Sequence, residues 1–214
     1  MNKKVILIHG FMRNSQDMSP LKKNLEVLGY EGILVNLPLT FQRIEHSVSL
    51  LEGTLEDIVL NLKSQEKIHL VGHSTGGLVI RSWLAKSKFR SKIDRCVLLA
   101  TPNQGSELAD LAGKYFRIFS AICKTLESLQ SQHVKKLSTL SELPVEIGAI
   151  AGKKNNLLLG KLLQGENDGR VTVESVRIAG LKDFMVLPFG HLEIHKKFIT
   201  AQFIDRFLKK GSFK

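Results

Sequence analysis

The feature that most constrains the fold is a regular alternation between short apolar runs and amphipathic segments. The runs lie at residues 5–8, 33–35, 68–71, 97–100, 145–151 and 184–187. Runs of this length, rich in β-branched residues, are typical of strands buried on both faces. Between the first two, Ser19 can cap a helix that starts with Pro20 and that Gly29 ends. A second helix is predicted over residues 48–62, where apolar residues recur every three or four positions.

Alternating buried strands and helices predict parallel strands joined by right-handed crossovers. We therefore expect an α/β fold with a mostly parallel sheet of six or slightly more strands and helices on both faces. The length of 214 residues favours a single domain over residues 1–214. Sheets of this kind bind ligands at the carboxyl ends of their strands.

Residues 106–143 have a helical pattern with no strand, and the segment is longer than a simple crossover needs. We interpret it as a small helical cap or lid whose apolar side chains, such as Tyr115, Phe116 and Ile118, face the opening of a pocket. The alternative is an enlarged pair of core helices, since the pattern alone does not place the apolar face.

The sequence Gly-His-Ser-Thr-Gly at residues 72–76 fits G-x-S-x-G, a turn that exposes a serine above a sheet. It directly follows the strand predicted at 68–71 and precedes a predicted helix at 78–85. Only small residues fit two positions before and after a serine in a strained turn, which explains the glycines. Ser74 is therefore the candidate nucleophile, and the alternative is a glycine-rich turn with an incidental serine.

A serine hydroxyl needs a general base and a carboxylate that orients the base. In this kind of fold the order along the chain is serine, acid, histidine. Asp168 follows the fifth predicted strand after a loop and is the candidate acid, although a plain Asp-Gly turn is the alternative. Asp183 is the nearest rival, but it precedes its strand, and Glu166 is the fallback.

His191 follows the last predicted strand and is the candidate base. Its rival, His195, lies one turn into the final helix, and loops at strand ends carry catalytic groups more often than helix interiors do. The two histidines also form an H-x-x-x-H pair, but Leu192 stands where a zinc-protease helix has glutamate. We therefore expect no metal and no cofactor.

The loop after the first strand is expected to lie beside the serine turn. The backbone N–H groups of Phe11 and Thr75 would then face the negative charge that develops on a substrate carbonyl oxygen. We interpret His9, His69 and His73 as packing or turn residues, because none stands where a catalytic triad needs its imidazole.

Five motifs follow one another along the chain, in residues 5–11, 72–77 and 100–106, at Asp168 and at His191. Their order resembles the bacterial lipase and esterase branch of the α/β-hydrolases over nearly the whole chain. In that branch a His-Gly loop, a Gly-His-Ser-x-Gly-Gly elbow, a Thr-Pro-x-x-Gly-Ser strand end, an Asp-Gly loop and a late histidine recur. The resemblance implies Ser74, Asp168 and His191 as the triad. It also implies Phe11 and Thr75 as donors to the oxyanion.

These observations predict hydrolysis of a carboxylic ester through an acyl-enzyme on Ser74. The substrate is expected to be a small soluble or monoacyl ester, or a lipid ester if the lid admits one. Thioesterase, amidase or acyltransferase activity with the same triad is the alternative, because a fold does not fix its substrate. A non-catalytic binding module with a hydrolase-like fold is the other alternative.

The chain carries 31 basic and 20 acidic residues, a formal net charge of +11. The basic residues are spread along the chain, which favours a solvated surface and leaves open a weak contact with anionic membranes. We expect no nucleic-acid partner, and the oligomeric state stays open. The segment at residues 1–10 lacks a signal-peptide core, and Cys96 and Cys123 lack paired spacing. A cytoplasmic protein with reduced cysteines is therefore expected.

Overall fold

A computed structural model describes residues 3–137, 140 and 143–214, and its centre is a parallel β-sheet. The strands are β1 (Lys3–Ile8), β2 (Tyr30–Val35), β3 (Ile68–His73), β4 (Ile93–Leu99), β5 (Glu146–Gly152) and β6 (Asp183–Leu187). Across the sheet their order is β2-β1-β3-β4-β5-β6, and every neighbouring pair is parallel. The predicted fold class, a six-stranded parallel sheet within an α/β fold, is confirmed.

The helices of the described residues connect and cover these strands. They are α1 (Ser19–Val27), α2 (Ile44–Leu60), α3 (Thr75–Lys86), α4 (Glu107–Tyr115), α5 (Arg117–Ile122), α6 (Lys124–Leu129), α7 (Ser131–Val134), α8 (Val173–Val176) and α9 (Phe198–Lys210). Short 3-10 turns lie at Ser15–Met18, Arg90–Lys92, Leu158–Leu162 and Ile194–Lys196. None of the helices in the described part combines the length and apolar character that crossing a bilayer requires.

Two apolar layers sandwich the sheet because successive side chains of a strand point to opposite faces. Ile6 and Ile8 of β1 pack in the layer formed with α2 and α3, where Trp83 is buried. Val5 and Leu7 pack in the opposite layer with α1 and α9. Continuous apolar runs are therefore what the central strands require, since β3 is buried on both faces, whereas the edge strands β2 and β6 are only partly buried.

The start of α1 differs from the expectation that Ser19 caps it. Ser19 is the first residue inside α1, Met18 holds the cap position, and no side chain caps the helix there. The reason is the preceding 3-10 turn, which the side chain of Asn14 already caps and which runs directly into α1. The Ser19 hydroxyl instead donates a hydrogen bond to Gln16 Oε1 over 2.9 Å.

The segment predicted as a cap, residues 106–143, contains α4, α5, α6 and α7. Residues 138–139 and 141–142 of that prediction lie outside the described residues. The side chains of Leu126 and Leu129 join the core layer of α2 and α3, whereas Ile118 is 80% exposed. The segment thus contributes both to the core and to an exposed apolar surface.

Candidate active site

Ser74 lies in the abrupt turn between β3 and α3. Its backbone has φ 53° and ψ −122°, and positive φ is rare for residues other than glycine. The Ser74 amide donates a 2.8 Å hydrogen bond to the Leu99 carbonyl oxygen at the end of β4. The serine is therefore held in a strained conformation at the carboxyl edge of the sheet, which is where strain is commonly found at functional sites.

The turn depends on glycines because backbone atoms occupy the space of the missing side chains. A Cβ added at Gly72 would lie 2.5 Å from the amide nitrogen of Gly77. A Cβ added at Gly76 would lie 2.5 Å from the carbonyl oxygens of both Ile8 and His9. Backbone atoms cannot rotate away as a flexible side chain can, so the first turn of α3 sits directly against the end of β1.

Asp168 and His191 form the shortest buried contact between ionisable side chains at this edge. His191 Nδ1 and Asp168 Oδ2 are 2.7 Å apart, and both side chains are almost fully buried. The backbone N–H of His191 also donates to the Asp168 carbonyl oxygen over 2.9 Å. Because Nδ1 can only be the donor to an ionised carboxylate, Nε2 keeps its lone pair and can accept a proton.

The Asp168 carboxylate is held in place by its own loop. Its second oxygen, Oδ1, accepts the backbone N–H groups of Arg170 at 3.0 Å and Val171 at 2.8 Å. Gly169 makes this tight turn possible with φ 96°. Asp168 is thus part of an Asp-Gly turn, as one interpretation of the sequence held, and that turn points the carboxylate at His191.

His73 connects the serine turn to the histidine loop. It directly precedes Ser74, its ring centroid lies 4.9 Å from that of His191, and its Nε2–H donates to the His191 carbonyl oxygen over 3.1 Å. Within the described residues, no hydrogen bond joins the Ser74 hydroxyl to the His191 ring. Such bonds are often long in unliganded enzymes and shorten when substrate binds.

The backbone amides of Phe11 and Thr75 are the expected donors to the oxyanion, and Thr75 is fully buried. Neither donates a hydrogen bond to any atom of the described chain. The loop that contains Phe11 is held by His9, whose Nδ1–H donates to the Gly10 carbonyl oxygen at 2.9 Å and whose Nε2 accepts the Leu37 N–H at 3.1 Å. Burial lowers the pKa of His9, so this imidazole is a neutral structural group at neutral pH.

Comparison with known proteins agrees with this architecture. Residues 3–122 match the family described as alpha/beta hydrolase fold. The chain belongs to this family. Salicylic acid-binding protein 2 of Nicotiana tabacum is 32% identical over 103 residues, or 46% of this chain and 39% of that protein. The chain therefore spans well under two thirds of the length of this curated relative.

Solved structures of other α/β-hydrolases superpose over nearly the whole chain. The mature lipase BlEst2 of Bacillus licheniformis gives a TM-score of 0.84 at 22% identity, covering 97% of this chain and 92% of the lipase. A metagenomic carboxyl esterase gives 0.78 at 16% identity, covering 98% and 76%. Phospholipase PlaB of Legionella pneumophila gives 0.71 at 17% identity, covering 99% and 60%. At these identities the likeness is one of fold.

The rival acids of this α/β-hydrolase lie elsewhere. Asp183 begins β6, at the opposite end of the sheet, and accepts hydrogen bonds from the Ser212 hydroxyl at 2.9 Å and the Phe213 amide at 2.7 Å. Glu166 Oε1 lies 3.9 Å from the exposed Lys153 ammonium. Of the three candidate acids, Asp168 alone contacts an imidazole within the described residues.

A second group of ionisable side chains lies behind the serine turn of the α/β-hydrolase, and sequence reasoning missed it. We call Asp17, His73 and His195 the histidine cluster. His195 Nε2 lies 3.4 Å from Asp17 Oδ2, and the ring centroids of His73 and His195 are 4.4 Å apart. Burial, and then the charges of His195 and His191, hold the pKa of His73 well below its usual value. Sequence spacing offered no sign that Asp17 would join the two histidines.

Two surface depressions lie at opposite ends of the sheet. One of about 430 Å³ adjoins the loop after β1 and is lined by Met12, Arg13, Asn14, Asp17 and Thr40. The other, of about 780 Å³, adjoins the amino ends of the strands, and its lining includes Lys3, Lys4, Tyr30 and Asp94. Neither lining includes Ser74, Asp168 or His191, but the smaller depression lies at the carboxyl end of the strands, where Ser74 follows β3.

Proposed function

We propose that the chain is a serine hydrolase that cleaves carboxylic esters through an acyl-enzyme on Ser74. His191 acts first as general base and then as general acid, and Asp168 orients the imidazole. The observation that carries the proposal is the 2.7 Å contact between His191 Nδ1 and Asp168 Oδ2, next to a serine held at φ 53°. A buried, doubly anchored carboxylate on a histidine beside a strained serine is the arrangement that acyl transfer requires.

The proposed reaction uses each of these groups once per half-reaction. Ser74 Oγ attacks the ester carbonyl carbon while His191 Nε2 accepts the hydroxyl proton. The carbonyl oxygen becomes an oxyanion that the amides of Phe11 and Thr75 stabilise. His191 returns the proton to the departing alcohol, and water then cleaves the acyl-enzyme by the same route in reverse.

The neighbouring His73 favours this cycle by staying uncharged. Its pKa is lowered by burial, so at neutral pH it places no positive charge beside His191. The His191 imidazolium that forms during attack therefore meets a neutral ring on one side and the Asp168 carboxylate on the other.

A short-chain or monoacyl ester is the proposed substrate class, and the segment at residues 106–143 is the proposed cap. The segment exposes apolar side chains at Tyr115, Phe116, Ile118 and Ile122. An apolar surface beside the site would suit an acyl chain, whereas thioesters, amides and acyl transfer to another acceptor would use the same triad. Cytoplasmic location and a weak contact with anionic membranes stay predictions.

A fluorophosphonate label tests the nucleophile directly. The parent protein should be labelled and should hydrolyse p-nitrophenyl esters, and Ser74→Ala should lose both properties. The matched control is Ser82→Ala, because Ser82 lies on α3 and both serines are 8% exposed. We expect Ser82→Ala to label and turn over at the parent rate.

Esters of graded acyl length then define the substrate class. The proposal of a short-chain substrate expects kcat/KM to fall as the acyl chain lengthens. Absence of labelling in a folded parent protein would instead support a non-catalytic binding module. Labelling without ester turnover would indicate that the substrate is a thioester or an amide.

A further inference from the structure

The histidine cluster of Asp17, His73 and His195 leaves several buried polar atoms without hydrogen-bond partners. His73 Nδ1, both ring nitrogens of His195 and Asp17 Oδ2 are buried, and none has a hydrogen-bond partner in the described structure. A buried polar group left without a partner destabilises a fold because it has given up its hydrogen bonds to water. Such a group in a native fold therefore calls for an explanation, and a bound ion is one.

The hydrogen bond made by His73 fixes which of its ring nitrogens carries a lone pair. His73 gives its Nε2–H to the His191 carbonyl oxygen, so its Nδ1 carries the lone pair. A histidine that binds a metal commonly donates its other ring N–H to a backbone carbonyl or carboxylate in this way. His195 Nε2 faces Asp17 Oδ2 at 3.4 Å without a hydrogen bond between them.

We propose that Asp17, His73 and His195 form a binding site for a divalent transition-metal ion, with Zn²⁺ the best fit. One ligand atom from each residue lies within 4.8 Å of the other two. Zn²⁺ binds nitrogen and carboxylate oxygen at about 2.0–2.2 Å in a tetrahedral arrangement, which sets the ligand atoms roughly 3.3 Å apart. The 3.4 Å between His195 Nε2 and Asp17 Oδ2 meets this requirement, and a ring nitrogen of His73 lies within 4.8 Å of a ligand atom on each of the other two residues.

The chemistry of the donor set selects the class of ion. Two neutral imidazoles and one carboxylate suit Zn²⁺, Co²⁺ or Ni²⁺, whereas Ca²⁺ and Mg²⁺ prefer a shell of oxygen ligands. Three protein ligands leave a fourth position for water. The cluster contacts His191 through His73 but includes none of the three proposed acyl-transfer side chains, so the ester hydrolase proposal and the metal proposal can fail independently.

An ion can reach the cluster from solvent. His73 and His195 are buried, but the Asp17 side chain is 14% exposed and lines the depression of about 430 Å³. The positive charges of Arg13 and Lys196 act on Asp17 and oppose a cation there. We therefore expect moderate affinity, weaker than that of a structural zinc site made of cysteine thiolates.

Cobalt titration of the full chain tests the site. After treatment with EDTA and removal of the chelator, the protein is titrated with Co²⁺ alone. We expect the intense visible absorption of four- or five-coordinate Co²⁺, saturating at one ion per chain and displaced by Zn²⁺. Zn²⁺ at a tenfold excess over its dissociation constant should raise Tm by roughly 3–6 °C.

Variants of the cluster provide the decisive comparison. Asp17→Asn keeps the size of a partly exposed side chain, and we expect it to weaken Co²⁺ binding by about 10-fold or more. His195→Gln should do the same. The matched control is His69→Gln, because His69 is also buried and faces a carboxylate, with its Nε2 3.8 Å from Asp94 Oδ2, but has no second imidazole there.

Either of two results would contradict the proposal that the cluster binds a metal ion. One is a parent protein whose Co²⁺ spectrum stays that of the hexaaqua ion. The other is a spectrum that Asp17→Asn leaves unchanged, which would move the ion to surface histidines such as the exposed His46. In either case the cluster does not bind a metal ion.

Discussion

Two histidine–carboxylate pairs have histidines only four residues apart, His191 and His195, yet the structure builds the pairs differently. In the His191–Asp168 pair the two atoms are 2.7 Å apart, and two backbone amides hold the other carboxylate oxygen. In the His195–Asp17 pair the separation is 3.4 Å, and within the described residues neither His195 ring nitrogen nor Asp17 Oδ2 has a hydrogen-bond partner. The first pair is preorganised, and the second is open to a ligand.

The difference comes from the backbone that presents each carboxylate. Asp168 lies in a tight turn whose own amides bind the side chain, and Gly152 leaves the room the acid needs, since a Cβ there would lie 2.9 Å from Asp168 Cβ. Asp17 lies on a 3-10 turn at the surface, whose amides point elsewhere. A dyad suited to catalysis therefore needs an anchored acid as well as a nearby histidine.

The largest effect that separates the two pairs is on turnover. His191→Gln should lower kcat by about 10⁴-fold, because the serine loses its general base and the developing charge loses its imidazole. His195→Gln should lower kcat by less than about tenfold. Both are measured as initial rates on a short-chain ester with EDTA present, so that no bound ion contributes.

The same experiment carries its own check on folding. Both variants replace a buried histidine with a residue of similar size, so their Tm values should fall by comparable amounts. Equal losses of kcat in the two variants would contradict the assignment of His191. A larger loss of kcat in His195→Gln would indicate that the general base is His195, in the histidine cluster.

The sequence predicts an element well where its buried residues form a continuous apolar pattern. The central strands are buried on both faces, so their apolar runs were visible, and the strand, G-x-S-x-G turn and helix around Ser74 follow from adjacent residues. The strand starts were harder to place. β2 begins at Tyr30, three residues before the run, because Glu31 and Gly32 interrupt the apolar pattern.

What sequence could not supply is proximity between distant segments. Asp17 meets His195 only because the 3-10 turn before α1 lies beside the turn before α9, and no local pattern encodes that contact. The helix α2 begins at Ile44, before the predicted residue 48, because the buried Ser47 does not register as apolar. A buried polar residue interrupts the apolar periodicity from which a helix is predicted, so the predicted helix starts too late.

Lowering the pH should reduce the free energy of unfolding. This effect is intermediate in size between the other two predictions. Burial lowers the pKa of His69 to about 4 and that of His73 well below its usual value. A histidine whose pKa is lower in the folded state binds its proton more readily when unfolded. The unfolded state is therefore favoured as the pH falls below 6.5. For His69 the loss between pH 7 and pH 5 is about 2 kcal/mol.

The variant His69→Leu isolates that contribution. Urea unfolding at pH 7 and pH 5 should show a smaller drop in the free energy of unfolding for His69→Leu than for the parent, by about 2 kcal/mol. Asp17, whose pKa is lowered chiefly by its interaction with His195, acts at lower pH, since it stabilises the fold above pH 4 and loses that effect below. An identical drop in parent and variant would show that His69 does not stay neutral when folded.

The smallest effect concerns His73, whose ring lies between the two pairs, 4.9 Å from His191 and 4.4 Å from His195 by ring centroids. Its Nε2–H bond to the His191 carbonyl oxygen positions the loop that carries the base. Losing one such bond costs about 1 kcal/mol, so His73→Leu should lower kcat roughly fivefold with KM unchanged. His73→Gln, whose amide can donate to the same carbonyl, should recover most of the rate. Equal losses in the two variants would assign His73 to packing alone, and the two pairs would then act without this link between them.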